Sequence, residues 1–362
     1  MNSGNRPAVS VFFWVLFCGA GWLVVALCLW GCVCDPGAPE SDGRSKVHFL
    51  DVGQGLAVLL EQDGRFALYD AGPDSAGVWD SLRMRGVDTL EWAVVSHNHR
   101  DHGGGLLELM EAREGNAANQ RTLDRSASRP GNLSRVFIRR LHVGPDTAGG
   151  FVRDSVLRVA SRLNIPVDTL YRGDELSLGT LTLKVLWPTS FLRVGDNGAS
   201  LVMRGAAGGA SSQWGVAGGT SSQWGASGGP SSQLVSAGGF PRAGSAGDCG
   251  TSFLLTGDLD SAGERRLMEL SPDLCSGLLQ VGHHGSSGSS SLRFLSRVSP
   301  QFAAISVGAH NGYGHPTGDV LKKLEYVLGA VADSSRSSPI ARTDQDGTIT
   351  FQIIPGVGPL RD

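Results

Sequence analysis

The sequence has 362 residues, 31 Lys and Arg against 34 Asp and Glu, and a formal net charge of −3. That balance excludes a chain whose overall charge drives binding to nucleic acid or a membrane surface, although a local patch stays open. Hydrophobic residues make up 41% of the chain, enough for a core, and the length allows one large domain or two small ones.

Residues 9–33 form an uncharged, mostly apolar run. At ~1.5 Å rise per residue it is long enough to span the ~30 Å hydrocarbon core. Arg6 is the only charged side chain before it, a weak bias toward the N-terminus inside and the rest outside. Three fates stay open: a retained membrane helix, a lipoprotein signal with lipidation at Cys32, or cleavage. We therefore expect a transmembrane or signal segment over 1–34, a linker over 35–45, and one α/β domain over 46–357, outside the membrane.

Within that domain, strands are expected at 47–50 and 57–61 around the turn Gly53-Gln54-Gly55. A third, at 66–69, completes a hairpin through Asp63-Gly64. A short helix is expected over 78–85, a buried strand over 92–95 ending at Ser96, and a helix over 106–112 behind three glycines. Residues 113–135 read as an exposed polar loop, followed by a strand at 136–142, a helix at 155–163 and a strand at 176–187. This order suggests a mixed α/β sandwich, not a doubly wound parallel sheet.

Residues 208–237 carry a period-ten repeat, GGASSQWGVA, GGTSSQWGAS, GGPSSQLVSA. Its apolar surface is too small to offset ordering entropy, so 206–248 reads as an insertion between strands at 201–203 and 252–255 that would otherwise form a hairpin. A surface insertion and a binding role through Trp214 and Trp224 both stay open. Of the six cysteines, Cys18, Cys28, Cys32 and Cys34 lie in or beside the apolar run. Cys249 and Cys275 could pair if the domain is exported.

Three of nine histidines fall in Ser96-His97-Asn98-His99-Arg100-Asp101-His102. Imidazole and carboxylate together suit Zn²⁺, Mn²⁺ or Fe²⁺. His97 and His99 can reach one metal while Asp101 and His102 turn toward a second.

This string resembles the signature of the metallo-β-lactamase superfamily, which implies a four-layer αββα sandwich behind the N-terminal membrane helix. Three further words fit that resemblance. Leu68-Tyr69-Asp70-Ala71-Gly72 implies that Asp70 orients a ligand histidine from behind. Leu254-Leu255-Thr256-Gly257-Asp258 implies a bridging carboxylate at Asp258. Gln280-Val281-Gly282-His283-His284-Gly285-Ser286 implies the last ligand histidine. Neighbours on a strand point apart, so His283 is favoured as ligand and His284 as a substrate-facing group.

A finer resemblance is to the C-terminal domain of ComEC-type DNA-uptake proteins. It rests on Leu50-Asp51-Val52-Gly53-Gln54-Gly55, Val281-Gly282-His283-His284-Gly285-Ser286, Ser306-Val307-Gly308, Asn311-Gly312-Tyr313-Gly314-His315-Pro316 and Arg342-Thr343-Asp344-Gln345-Asp346-Gly347. The resemblance implies two divalent metal ions, Zn or Mn, held by His97, His99, Asp101, His102, Asp258 and His283. It also implies catalytic roles for Asp101, His284 and His315, with DNA as substrate and a separate DNA-channel protein as partner. Arg135, Arg139 and Arg140 are candidate phosphate contacts, or else a solvated strand edge. Another ester, amide or lactam as substrate, or a non-catalytic scaffold, remains open. So does a ligand role for His142, the only histidine between His102 and Asp258; His48 and His310 read as structural.

Overall fold

The structure, a computed structural model, describes residues 43–119, 136–146, 150–189, 197–208, 249–329 and 338–362. The expected membrane segment, most of the linker, most of the 113–135 loop and nearly all of the 206–248 insertion lie outside these residues, as do Arg135, Trp214 and Trp224. Among the described residues, no helix is long and apolar enough to cross a membrane.

The described chain opens with an antiparallel meander of β1 (Ser45–Phe49), β2 (Ala57–Gln62) and β3 (Arg65–Ala71). Asp63 and Gly64 turn the β2–β3 hairpin with φ of 50° and 72°, the positive pair that a tight two-residue turn demands. Next come α1 (Val78–Met84), β4 (Thr89–Leu90), β5 (Trp92–Val95), α2 (Arg100–Asn119), β6 (Phe137–Ile138), β7 (Leu141–Val143), α3 (Phe151–Arg162) and β8 (Val167–Thr169). The second half begins with β9 (Glu175–Leu178), β10 (Leu181–Trp187), β11 (Val202–Ala206), β12 (Ser252–Leu255), α4 (Ser261–Leu270) and β13 (Leu278–Gln280). It ends with α5 (Leu292–Val298), β14 (Phe302–Ile305), α6 (Gly318–Leu328), β15 (Ile340–Arg342), α7 (Thr343–Asp346), β16 (Ile349–Ile354) and β17 (Gly358–Arg361).

Two large sheets result, in the orders β17-β16-β1-β2-β3-β5-β7-β8 and β15-β14-β13-β12-β11-β10-β9. Period-two patterning stacks them. Val58 and Leu60 of β2 and Tyr69 of β3 face the other sheet, where they meet Leu183, Met203, Phe253 and Leu255. Their neighbours Leu59 and Leu68 point outward, onto Leu82, Leu106, Leu109 and Val156 of α1, α2 and α3. Behind the second sheet, Leu254, Leu279 and Ala303 pack on Leu267, Phe294, Leu295, Val320 and Leu324 of α4, α5 and α6. These three cores define a helix–sheet–sheet–helix arrangement.

Each sheet changes pairing sense at one strand. β3 is antiparallel to β2 and parallel to β5, while β12 is antiparallel to β11 and parallel to β13. At such a switch, chain connections diverge beyond the carboxyl ends of the strands and leave a crevice. β3 ends beside Asp70 and β12 ends just before Asp258.

Three local expectations change. The helix expected from 106 begins at Arg100 and runs on to Asn119, into the start of the loop expected over 113–135. The three glycines therefore sit inside its first turns, where a side chain at Gly105 would strike the Ala71 carbonyl of β3. The stretch 136–142 divides between a two-stranded β4–β6 sheet and β7 of the main sheet, and 176–187 folds as the β9–β10 hairpin. β11 and β12 pair antiparallel around the insertion as expected, and Cys249 is disulfide-bonded to Cys275.

Candidate metal centre

β5 stops at Val95, and its next residue is pinned rather than free to extend the sheet. Ser96 donates to the Asp70 carboxylate twice, from its backbone N–H at 2.7 Å and from its hydroxyl at 2.6 Å. Asp70 sits in the left-handed region, with φ of 57°, fully inside the protein. It also accepts from His102 Nδ1 at 2.7 Å, which fixes that tautomer and leaves Nε2 to face the crevice. His102 reaches this carboxylate because α2 begins at Arg100, turning Asp101 and His102 inward in its first turn.

The second sheet contributes from β12 and β13. The Gln280 side chain clamps the Thr256-Gly257-Asp258 turn. Its Oε1 accepts from the N–H groups of Thr256 and Gly257 at 2.7 and 2.8 Å, and its Nε2 donates to the Gly257 carbonyl at 3.1 Å. Gly257 has φ of 54°, and a Cβ there would sit 3.0 Å from Ser96 Oγ, so the approach of the two sheets at this point requires glycine. Ser200 Oγ accepts from the Asp258 N–H at 3.1 Å and fixes where the carboxylate starts.

Beyond β13, His283 and His284 both adopt left-handed backbone angles, with φ of 51° and 55°, in the turn Gly282–Gly285. His284 Nδ1 donates to the Ser306 carbonyl at 2.9 Å and presents Nε2 to the crevice. His283 stays nearer the rim, beside the Asn197 amide at 3.2 Å.

Two sets of ligand atoms converge. Asp101, His102, Asp258 and His284 each offer one atom within 4.8 Å of the others, and so do His97, His99 and Asp258. Asp258 is common to both. His97 Nε2, His102 Nε2, His284 Nε2 and Asp258 Oδ1 are buried and make no hydrogen bond among the described residues. His102 Nε2 and Asp258 Oδ1 stand 3.2 Å apart, but without the angle a hydrogen bond needs. Buried polar atoms left without partners cost about 1–3 kcal/mol each, and one cation in each ligand set satisfies all four between them. The donor set therefore fits divalent metal.

The same crowding shifts the titrations. Burial alone would depress His102, but Asp258 and Asp70 carry it well above its ordinary range. Burial would raise Asp258, yet His102, His284 and His97 hold it well below the usual carboxylate range. Asp101 is likewise held low against burial, by the His284 ring 3.3 Å away and the charge of His102. Burial and the neighbouring His102 push His97 well down. The site thus stores ionised carboxylates beside at least one neutral imidazole, the forms a metal takes.

For the histidine pair, the sequence favours His283 as ligand, whereas the geometry brings its neighbour to the other ligand atoms. His284, not His283, joins the four-residue set, at 3.3 Å from Asp101 and 3.5 Å from Asp258. The strand argument fails because neither residue is on a strand; two left-handed residues in a tight turn do not alternate in direction. His283 Nε2 approaches Asp258 only to 3.8 Å and is partly exposed.

His142 lies on β7, buried and 4.0 Å from Asp168, outside both sets. His48 hydrogen-bonds Thr350 and Glu61 within the first sheet. Arg139 and Arg140 pair with Glu91 and Asp168. His315 shares the crevice, a cavity of about 510 Å³ also lined by Arg100, Asp101, Asp258, His284 and Tyr313. Ser200 escaped the sequence reading, while Ser96 and Gln280 stand in it only as the first letters of the two histidine words, with no role attached.

Residues 50–159 match the family model described as metallo-beta-lactamase superfamily. That stretch holds Asp70 and the string from His97 to His102, so this part of the chain is similar to the metallo-β-lactamase superfamily. Over most of its length it is homologous to competence proteins. It is 25% identical over 344 residues to ComE operon protein 3 of Bacillus subtilis, covering 88% of this chain and 34% of that protein. With Competence protein ComA of Neisseria gonorrhoeae it shares 27% identity over 320 residues, 86% of this chain and 33% of the relative. Recombination protein 2 of Haemophilus influenzae is 26% identical over 302 residues, 82% of this chain and 28% of the relative. The chain spans about a third of the length of the curated relatives it matches.

Proposed function

We propose that this chain is a metal-dependent phosphodiesterase that cleaves DNA in connection with DNA uptake. The observation that carries the reading is the pair of ligand sets sharing Asp258, with four buried atoms that have no hydrogen-bond partner among the described residues. His97, His99 and Asp258 would hold one divalent ion, Zn or Mn; Asp101, His102, Asp258 and His284 would hold the second. When bound, the ions supply Lewis acidity and water acidified toward neutral pKa.

The protein's own groups do the rest. Asp70 and the Ser306 carbonyl fix the rings of His102 and His284 by their Nδ1 atoms. Arg100, clamped by Asp74, places a guanidinium on the cavity wall where a phosphate oxygen arrives. His315 lines the cavity and has a buried Nδ1 without a hydrogen bond among the described residues. Burial, with His283 and His284 nearby, lowers its pKa; an incoming phosphate opposes that shift and readies the ring to protonate the leaving oxygen. The net charge of −3 fits DNA held by a few local contacts rather than by a basic surface.

The names of the relatives support a place in DNA uptake, as do the words shared with them. The Cys249–Cys275 disulfide supports an oxidising, extracytoplasmic location. The N-terminal apolar run would anchor the domain to the membrane, beside a separate channel protein. The test is cleavage of single-stranded and duplex DNA by the full chain with Mn²⁺ or Zn²⁺, beside Asp258→Ala and a panel of small esters. Metal-dependent DNA cleavage lost in the variant is expected. Activity confined to small esters, or none with either metal, overturns the reading.

A further inference from the structure

Tyr313 stands on the wall of the same cavity with a side chain that is 73% exposed. Among the exposed large apolar and aromatic side chains of the described residues, it alone lines that cavity. An exposed tyrosine on a loose loop would mean little, but this loop is held. The Asn311 side chain accepts from the N–H groups of Tyr313 and His315 at 3.2 and 3.0 Å. It also donates to the carbonyls of Gly308 and His315 at 2.9 and 2.7 Å. Thr317 N–H then ties the loop's far end to the Gly285 carbonyl at 2.9 Å, one residue past His284. Tyr313 is thereby fixed relative to the metal-ligand turn.

Its ring is also oriented. It lies nearly parallel to the His315 imidazole, 23° between planes and 5.7 Å between centroids. His315 is 5.7 Å from His283, and His283 is 6.1 Å from His284. A row of flat rings therefore leads from the cavity rim to the ligand set.

We propose that Tyr313 is the stacking platform for an unpaired nucleobase adjoining the phosphodiester at the metal centre, and that it makes the site selective for single-stranded DNA. The proposal rests on the phosphodiesterase reading above. A pre-positioned aromatic face binds any base with little ordering cost, since every base has a π-face. A base within a duplex has both faces covered by its neighbours, so it must unstack before it can lie on the ring; a single strand offers its bases directly.

The test uses the full-length chain with Mn²⁺ or Zn²⁺ and three substrates: a mixed-sequence single strand, its duplex, and the single strand with an abasic site beside the cleaved bond. Tyr313→Ala should raise KM for the single strand about 5- to 150-fold, the range for one lost base–aromatic stack, with kcat nearly unchanged. Tyr313→Phe should restore wild-type KM. The abasic strand should cost the wild type the same factor and cost Tyr313→Ala nothing further. Fluorescence anisotropy of the labelled strand on metal-free protein should show the same order of affinities, and thermal melting should show all variants folded. If the wild type cleaves DNA while Tyr313→Ala keeps its KM and its sensitivity to the abasic site, stacking is overturned and the phosphodiesterase stands. If the wild type cleaves no DNA, both fall together.

Discussion

The two sheets contribute to the metal centre in different ways. From the first, His97, His99, Asp101 and His102 arrive as one contiguous string between β5 and α2, braced from behind by Asp70. From the second, Asp258 and His284 arrive from separate strand ends, each held by a different neighbour: Ser200 and Gln280 for the first, the Ser306 carbonyl for the second. The first half is a local motif; the second exists only once β12, β13 and β14 lie side by side. Local sequence can therefore supply ligands, but the shared carboxylate that joins two sets into one centre depends on tertiary packing.

The sharpest way to break this comparison is to remove the joining group. Asp258→Ala should cut metal-dependent DNA cleavage by roughly 10³-fold or more, because both ligand sets lose a member. A loss under tenfold in steady-state kinetics would show that the first sheet's string suffices. Next in size is the histidine pair. His284→Ala should release metal under dialysis, while His283→Ala should retain it; the reverse result in elemental analysis would restore the strand-based assignment.

Asp70→Asn probes the brace on the first sheet. It should weaken metal binding by about 10- to 100-fold in competition titrations while the chain still folds. Unchanged affinity would mean that Asp70 serves only the fold. The smallest effect lies outside the centre, at Glu61. A hydrogen bond from His48, with Lys46 nearby, lowers its pKa to about 2. The folded-state value is depressed, so its stabilisation is present above the unfolded value of ~4.3 and is lost as pH falls toward about 2. Glu61 is half-exposed, and screening holds this to about 1 kcal/mol. Glu61→Gln should therefore lower neutral-pH stability in urea melts, with the difference closing near pH 2, and should leave metal content alone. A deficit that persists at low pH would count against the ion-pair account.

Most strands were legible because period-two patterning and the Asp63-Gly64 turn are local signals. The start of α2 was not. The glycines at 103–105 read as a loop entrance, and only the contact of Gly105 with β3 explains them inside a helix. The His-x-His-x-Asp-His string and the Asp258 word announced ligand types, yet the choice between His283 and His284 hung on backbone angles that no neighbouring residue predicts. The roles of Gln280 and Ser200 were silent for a similar reason. Their roles are hydrogen bonds to backbone across strands, and these leave no compositional trace.

The most direct measurement is the metal content of the purified full chain and of Asp258→Ala, after dialysis against micromolar Mn²⁺ or Zn²⁺. The account predicts two ions per wild-type chain and loss from both sets in the variant. A wild-type chain that holds no ion, or a variant that keeps two, would contradict the shared carboxylate on which the centre is built.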